Sequence, residues 1–147
     1  SPRNPDAWVV EVVNTMKMGD CDKLEKLLTS FFASIPYSQR RKDDEREKER
    51  YFQYTFYLVI RMISSFTVLI EKEQSEGRVD CIIETPMFVY IFEFKRDGSA
   101  TEALKQIEEK GYAREYATDN RTIYLIGCNF SSKTGTIDDW KSKGKSV

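Results

Sequence analysis

The sequence predicts an α/β sandwich built around a mixed sheet, and three observations carry that prediction. Apolar residues recur at helical spacing over residues 5 to 35, and again after a charged run at 40 to 50. Three β-type runs follow between Thr67 and Lys95, then a helix start and one more strong strand, "RTIYLIGCNF". The third of these runs, Met87 to Lys95, is almost unbroken in apolar character, as a central strand covered on both faces should be. Helix, three strands, helix, strand is the resulting order.

Each element has its own signal. Ala7 to Met16 carries a Trp/Val stripe, Gly19 supplies a C-terminal stop, and Asp20 is placed to cap the next helix. Leu24, Leu27, Leu28, Phe31, Phe32 and Ile35 form that second helix's apolar stripe, and Pro36 ends it. These aromatics read as core or docking surface. The run "RRKDDEREKER" sets opposite charges at i,i+4 and i,i+3 (Asp44 with Lys48, Glu47 with Arg50), which suits an exposed helical start. "YFQYTFYLVIRMISSF" continues it with Phe52, Phe56, Val59, Ile60 and Ile63 on one face, and Glu49 extends that face by a turn. Taken alone, Glu49 reads as a solvated residue closing the charged run.

Thr67 to Lys72 is the first strand and "EQSEG" its turn; Arg78 to Glu84 is the second, followed by "TPM". "DGSATE" opens a helix with Ser99 and Glu102 in capping-box spacing and Ala103, Leu104 and Ile107 on its buried face. Asp119-Asn120 turns the chain into the last strong strand. Beyond Phe130 the tail is rich in Lys, Ser and Gly, and only one short element around Ile137 to Trp140 is expected.

Composition removes several function classes. No apolar run reaches membrane-spanning length, and no signal-peptide pattern opens the chain. Cys21, Cys81 and Cys128 lack CxxC spacing and read as small buried hydrophobes in a reducing, cytoplasmic setting. The net charge of −1 means that bulk charge alone does not drive nucleic-acid binding. Histidine is absent, which excludes Ser-His-Asp and Cys-His nucleophiles and the usual His-containing zinc sites. Any enzyme chemistry here must rest on carboxylates, lysines, tyrosines and hydroxyls, with or without a hard metal.

The puzzle lies at the end of the oily strand, where Glu93 and Lys95 occupy places that core residues should take. Strand parity puts both on one face. If the Thr85–Pro86 turn pairs Ile82 with Ile91, Asp80 falls opposite Glu93, with Cβ atoms about 5 Å apart. Two carboxylates that close repel unless a cation lies between them. Mg²⁺ suits such a pair: it takes hard oxygen ligands, keeps several waters, and needs one or two protein carboxylates. The backbone carbonyl of Phe94 can complete the protein's share. Lys95 beside the ion can hold a water or offset charge on a phosphoryl group, so the chemistry points to phosphodiester hydrolysis. The pattern acidic-x-Lys is weak by itself, recurring as "EEK" (108–110) and "DWK" (139–141). The alternative is a structural Asp–Lys–Glu network closing one end of the sheet.

"GRVD" (77–80), the hairpin after it and "VYIFEFK" (89–95) resemble the PD-(D/E)XK nuclease superfamily, which has the restriction-endonuclease-like fold. "FFASIPY", "GRVDCIIETPMFVYIFEFK", "ALKQIEEKGYA" and "LIGCNFSS" are similar to a bacterial branch in which such a domain follows an AAA-ATPase-like domain in one polypeptide. The resemblance covers most of residues 24 to 140. It implies an α-β-β-β-α-β core at residues 39–147 and a helical connector at 1–38, in a chain that opens "SPRNPDAW" and reads as a piece of something longer. It implies metal-binding acids at Asp80 and Glu93, a catalytic lysine at Lys95, an assisting acid at Glu49 and a helix glutamine at Gln106. Val79 stands where the superfamily name has Pro. The Gln-x-x-x-Tyr pattern of RecB-like nucleases is not met, because Lys110 follows Gln106 by four residues and Tyr112 comes two later. Gln106 and Lys110 still share a helix face, which places them to contact a phosphate or water, and Lys110 and Tyr112 are the further candidate substrate contacts.

Two functions follow from the resemblance. One is a Mg²⁺- or Mn²⁺-dependent nuclease acting on nucleic acid, with DNA the implied substrate. The other is a nuclease-like module that binds nucleic acid or regulates a linked AAA-ATPase-like domain. No GxxxxGK[ST] loop occurs, so ATP hydrolysis is not expected of this chain.

Overall fold

A computed structural model of the protein describes residues 5–34, 67–73 and 78–145. The charged run at 40–50, the apolar helix expected after it, and Glu49 lie outside the described residues. Helices α1 (Pro5–Met18) and α2 (Cys21–Ser34) lead into strands β1 (Thr67–Glu73), β2 (Arg78–Glu84) and β3 (Phe88–Arg96). Helix α3 (Ala100–Lys110), a 3₁₀ turn (Tyr112–Tyr116), β4 (Thr122–Ser131) and β5 (Thr136–Lys145) complete the described elements. The sheet runs in the order β1-β2-β3-β4-β5 and is mixed: β3 and β4 are parallel, the other neighbours antiparallel.

The breaks fall where local chemistry puts them. Gly19 adopts φ +73°, and Asp20 Oδ1 accepts the Lys23 N–H at 3.0 Å, so α1 stops and α2 starts within two residues. Thr85 closes the β2–β3 hairpin, its hydroxyl donating to Phe88 O at 2.8 Å and accepting the Phe88 N–H at 2.9 Å. Ser99 caps α3 by accepting the Glu102 N–H at 3.1 Å. Gly111, at φ +69°, ends the helix by donating to Ile107 O and Glu108 O.

One expectation fails. The tail beyond Phe130 holds a ten-residue strand, not a short element, and β5 pairs antiparallel with β4 across a bulge at Asn129/Phe130. Ile137 and Trp140 anchor it on one face. On the other, Lys141 and Lys143 reach Thr101 and Glu108 of α3 at 2.7 and 3.1 Å. Lysines on an edge strand deter pairing with another chain, and their aliphatic stems can still cover apolar surface.

Alternation along the strands sorts the core into two layers. Cys81, Ile83, Tyr90, Phe92, Phe94, Ile126, Cys128 and Phe130 face α1 and α2, meeting Val12, Met16, Leu24, Leu28 and Phe32. Tyr90 donates its hydroxyl to Met16 O at 2.6 Å, which satisfies the buried phenol. Ile82, Val89, Ile91, Ile123 and Leu125 face Ile107 of α3 and Tyr116. The central strand is therefore covered on both sides, as its oily sequence requires. All three cysteines are free and buried. Burial, reinforced by Asp22 and Asp20, pushes the Cys21 thiol up to about 12, which suits a packing role.

A charged knot ties the entry to β4 to the β2–β3 hairpin. Arg121 donates to both oxygens of Asp119 (2.9 and 2.6 Å), to Glu84 Oε1 (2.6 Å) and to Thr85 O (3.1 Å). Hydrogen bonds from the Arg121 side chain and backbone hold the Asp119 carboxyl down from 3.8 to about 2. A carboxylate with a depressed folded value adds stability above its unfolded value, and that stability is lost as pH falls towards the folded one. Asp119→Asn is therefore expected to unfold at lower urea than wild type at pH 7, with the gap closing between about pH 4 and pH 2. A gap independent of pH would assign the loss to the turn's backbone instead.

Candidate active site

The oily face of β3 that carries Val89 and Ile91 continues to Glu93 and then Lys95. Glu93 is fully buried, while Lys95 is half-buried near the strand's end. The β2–β3 register pairs Ile82 with Ile91 and Asp80 with Glu93, the arrangement expected from the Thr85–Pro86 turn. On the other side, Glu93 is the register partner of Gly127, and Lys95 of Asn129. Asp80 is described by its backbone.

Gly127 decides how α3 lies over this place. A Cβ there would sit 2.3 Å from Ala100 O and 2.8 Å from Leu104 N, so only a glycine lets the helix backbone rest on β4. Close approach brings the last turn of α3 back to Glu93, where Lys110 Nζ stands 3.3 Å from Oε1. The lysine side chain is 19% exposed and the glutamate 0%. Glu93 Oε2 and Gln106 Oε1 are buried without a hydrogen-bond partner among the described residues. Native interiors rarely leave such oxygens unsatisfied.

The turn after Lys95 is pinned by residues the sequence reading missed. Asn129 is buried, accepts the Gly98 N–H at 2.9 Å and donates to Asp138 Oδ1 at 2.8 Å. Asp139 Oδ2 accepts the Ala100 N–H at 2.9 Å, satisfying a donor of the first turn of α3. Asp97, in a left-handed conformation at φ +52°, accepts the Ser132 N–H at 2.8 Å. An asparagine inside the oily run "LIGCNF" is the same kind of anomaly as Glu93, and was the signal available.

The other expected residues lie as follows. Phe94 turns its ring into the α1–α2 core, stacked on Phe92 at 5.9 Å, so only its backbone faces any site. Gln106 and Lys110 share a face of α3, one turn apart. Lys110, expected as a substrate contact, stands against Glu93. Tyr112 opens the 3₁₀ turn beyond the helix. Among the described residues, no group of three or more acidic, cysteine or histidine side chains gathers. A buried carboxylate oxygen with no hydrogen-bond partner among the described residues is a hard donor of the kind a divalent cation takes.

The chain is similar to a known protein and to a known family profile. A protein of Azotobacter chroococcum mcd 1, described as an uncharacterized protein in the vnfD 5′ region, is 32% identical over 129 residues. The match covers 86% of this chain and 25% of that protein, so the chain spans about a quarter of its relative's length. No solved structure matches the chain. Residues 47–140 match the family profile described as the PD-(D/E)XK nuclease superfamily, a span that takes in β1, β2, β3, α3 and β4. An acid-bearing hairpin, a buried acidic-x-Lys strand and a helix folded back over it thus have a common explanation: the chain belongs to the PD-(D/E)XK nuclease superfamily, with its restriction-endonuclease-like α/β fold.

Proposed function

We propose that this chain is a metal-dependent nuclease module that hydrolyses phosphodiester bonds of DNA. The observation that carries the reading is Glu93: a fully buried carboxylate with one oxygen that has no hydrogen-bond partner among the described residues, in register with Asp80. Direct register partners in an antiparallel ladder share a face. Asp80, Glu93 and the backbone carbonyl of Phe94 would hold Mg²⁺ or Mn²⁺. Such an ion supplies, when bound, a water acidic enough to act as a nucleophile at neutral pH.

The chain's own side chains do the rest. Lys95, on the same face as Glu93, orients the attacking water or offsets charge on the phosphoryl oxygens. Gln106, with its buried open amide oxygen, positions water or phosphate. Glu49 assists the acids, and Tyr112 contacts the substrate. Residues 1–38 join the domain to a further, AAA-ATPase-like portion of a longer polypeptide. Leu24, Leu28 and Phe32 of this segment pack into the sheet's core.

Cleavage of labelled single- and double-stranded DNA, with Mg²⁺, Mn²⁺ or EDTA, tests the reading. Wild type is expected to cut only with the ion, and Lys95→Met to cut about 100-fold more slowly or less, with unchanged Mn²⁺ affinity. Equal cutting by Lys95→Met would remove the lysine from the mechanism. The net charge of −1 favours a second reading, a nuclease-like module working within a larger assembly, since weak electrostatics give isolated DNA little affinity. DNA retained but never cut by wild type would support it.

A further inference from the structure

We propose that Asn129 is a positioning residue for Lys95, holding the stem of the lysine through the turn that folds over it. The inference rests on the nuclease reading above and adds to it a residue from a different strand. Lys95 and Asn129 are register partners on the parallel pair β3 and β4. Their side chains therefore leave the sheet on the face of Gly127, the face that α3 covers. Asn129 is buried, and an amide is costly to bury unless it is hydrogen-bonded. Its Oδ1 accepts the Gly98 N–H at 2.9 Å, and its Nδ2 donates to Asp138 Oδ1 at 2.8 Å. Gly98 lies against the root of the lysine: a Cβ added to it would be 3.5 Å from Lys95 Cβ and 3.7 Å from Asn129 Oδ1. Amide, turn and lysine stem stand side by side.

The turn is held more firmly than the start of a helix requires. α3 already has its cap in Ser99. Beyond that, the Asp97 N–H donates to Phe130 O at 2.9 Å, and Asp97 Oδ1 accepts the Ser132 N–H at 2.8 Å. Asp139 Oδ2 accepts the Ala100 N–H at 2.9 Å. The β4–β5 bulge supplies part of this. Asn129 pairs with Asp139 and Phe130 with Ile137, so Asp138 is the extra residue. Two consecutive carboxylates of β5 thereby serve one turn, one through Asn129 and one at Ala100. Asp97 and Gly98 are exposed, so hydrogen bonds rather than apolar packing fix this place. A long, flexible lysine needs such a fixed root, because a catalytic group misplaced by about 1 Å can lose about 100-fold in rate.

A double-mutant cycle on the intact chain tests the assignment, read by Mn²⁺-dependent cleavage of labelled DNA and by the Cε resonance of Lys95 in ¹³C-lysine-labelled protein. That resonance is assigned by its loss in Lys95→Met. Asn129→Ala is expected to lower kcat at least about 10-fold, with KM and Mn²⁺ affinity unchanged, and to move the Lys95 signal towards those of exposed lysines. On the Lys95→Met background the same change should cost less than about twofold, whereas a merely structural loss would appear in both backgrounds. Asn129→Asp sets a second carboxylate against Asp138 and should behave like Asn129→Ala. Adding Asp138→Asn reverses that hydrogen bond, keeps an oxygen for Gly98, and should return both readouts to within about threefold of wild type. This pair also covers the case where Asn129→Ala folds poorly. Equal losses in both backgrounds, an unmoved Lys95 signal in folded Asn129→Ala, or no rescue by the pair would overturn the inference and leave the nuclease reading standing. No cutting by wild type would overturn that reading, and the Lys95 signal would then decide the role of Asn129 by itself.

Discussion

Glu93→Gln is expected to lower metal-dependent cleavage about 1000-fold while leaving the metal-free fold within about 1 kcal/mol of wild type. The two halves of this expectation have one cause. Glu93 is a charge held out of water, with one oxygen on Lys110 and the other on nothing described. An amide keeps the shape and removes the buried charge. Lys110 loses its contact with Glu93, and its side chain is part-exposed at the end of α3. Stability is thus conserved where function is lost, as at sites kept for chemistry at some cost to the fold. Thermal melts with and without Mg²⁺ read both effects: the variant should match wild type without the ion and lack any ion-induced rise. A metal-free variant several kcal/mol less stable would mark Glu93 as a structural network residue instead.

The second large effect is expected at a residue with no functional group. Gly127→Ala places a methyl 2.3 Å from Ala100 O, a backbone atom that no rotamer change can move. Overpacking of this kind costs about 3 kcal/mol, or roughly 10 °C in melting temperature for a chain of this size. Lifting α3 from β4 also shifts Lys110 and Gln106 relative to Glu93, so cleavage should fall further than stability alone explains. Gly144→Ala is the control. Its methyl would meet only the edge of the Tyr124 ring, at 3.3 Å, on an exposed strand, and should change stability by less than about 0.5 kcal/mol. Equal melting temperatures for Gly127→Ala and wild type would contradict the close seating of the helix.

Much of this was legible because it depends on local chemistry. A two-residue turn after Thr85 fixes the hairpin register, and that register alone sets Asp80 against Glu93. An acid at the end of an oily run announces itself by breaking the pattern. The helices over residues 5–34 were legible from their periodicity, and Gly19 and Asp20 end and begin them as their types require. β5 was hidden because an edge strand studded with lysines has no strong alternation. Ile137 and Trp140 are its main apolar anchors, and the bulge beside Asn129 shifts their phase. Losing β5 also concealed Asn129, Asp138 and Asp139, whose roles exist only once β4 and β5 are paired. The Lys110–Glu93 contact is tertiary throughout. It depends on how closely α3 sits on the sheet, which Gly127 allows and no local pattern encodes.

The most direct measurement is an anomalous-scattering map from crystals of the protein grown with Mn²⁺. A peak touching the carboxylates of both Asp80 and Glu93, lost when either is changed to its amide, is the expected result. Those two carboxylates on opposite faces of the sheet, or Mn²⁺ bound elsewhere with Glu93 Oε2 still bare, would contradict it.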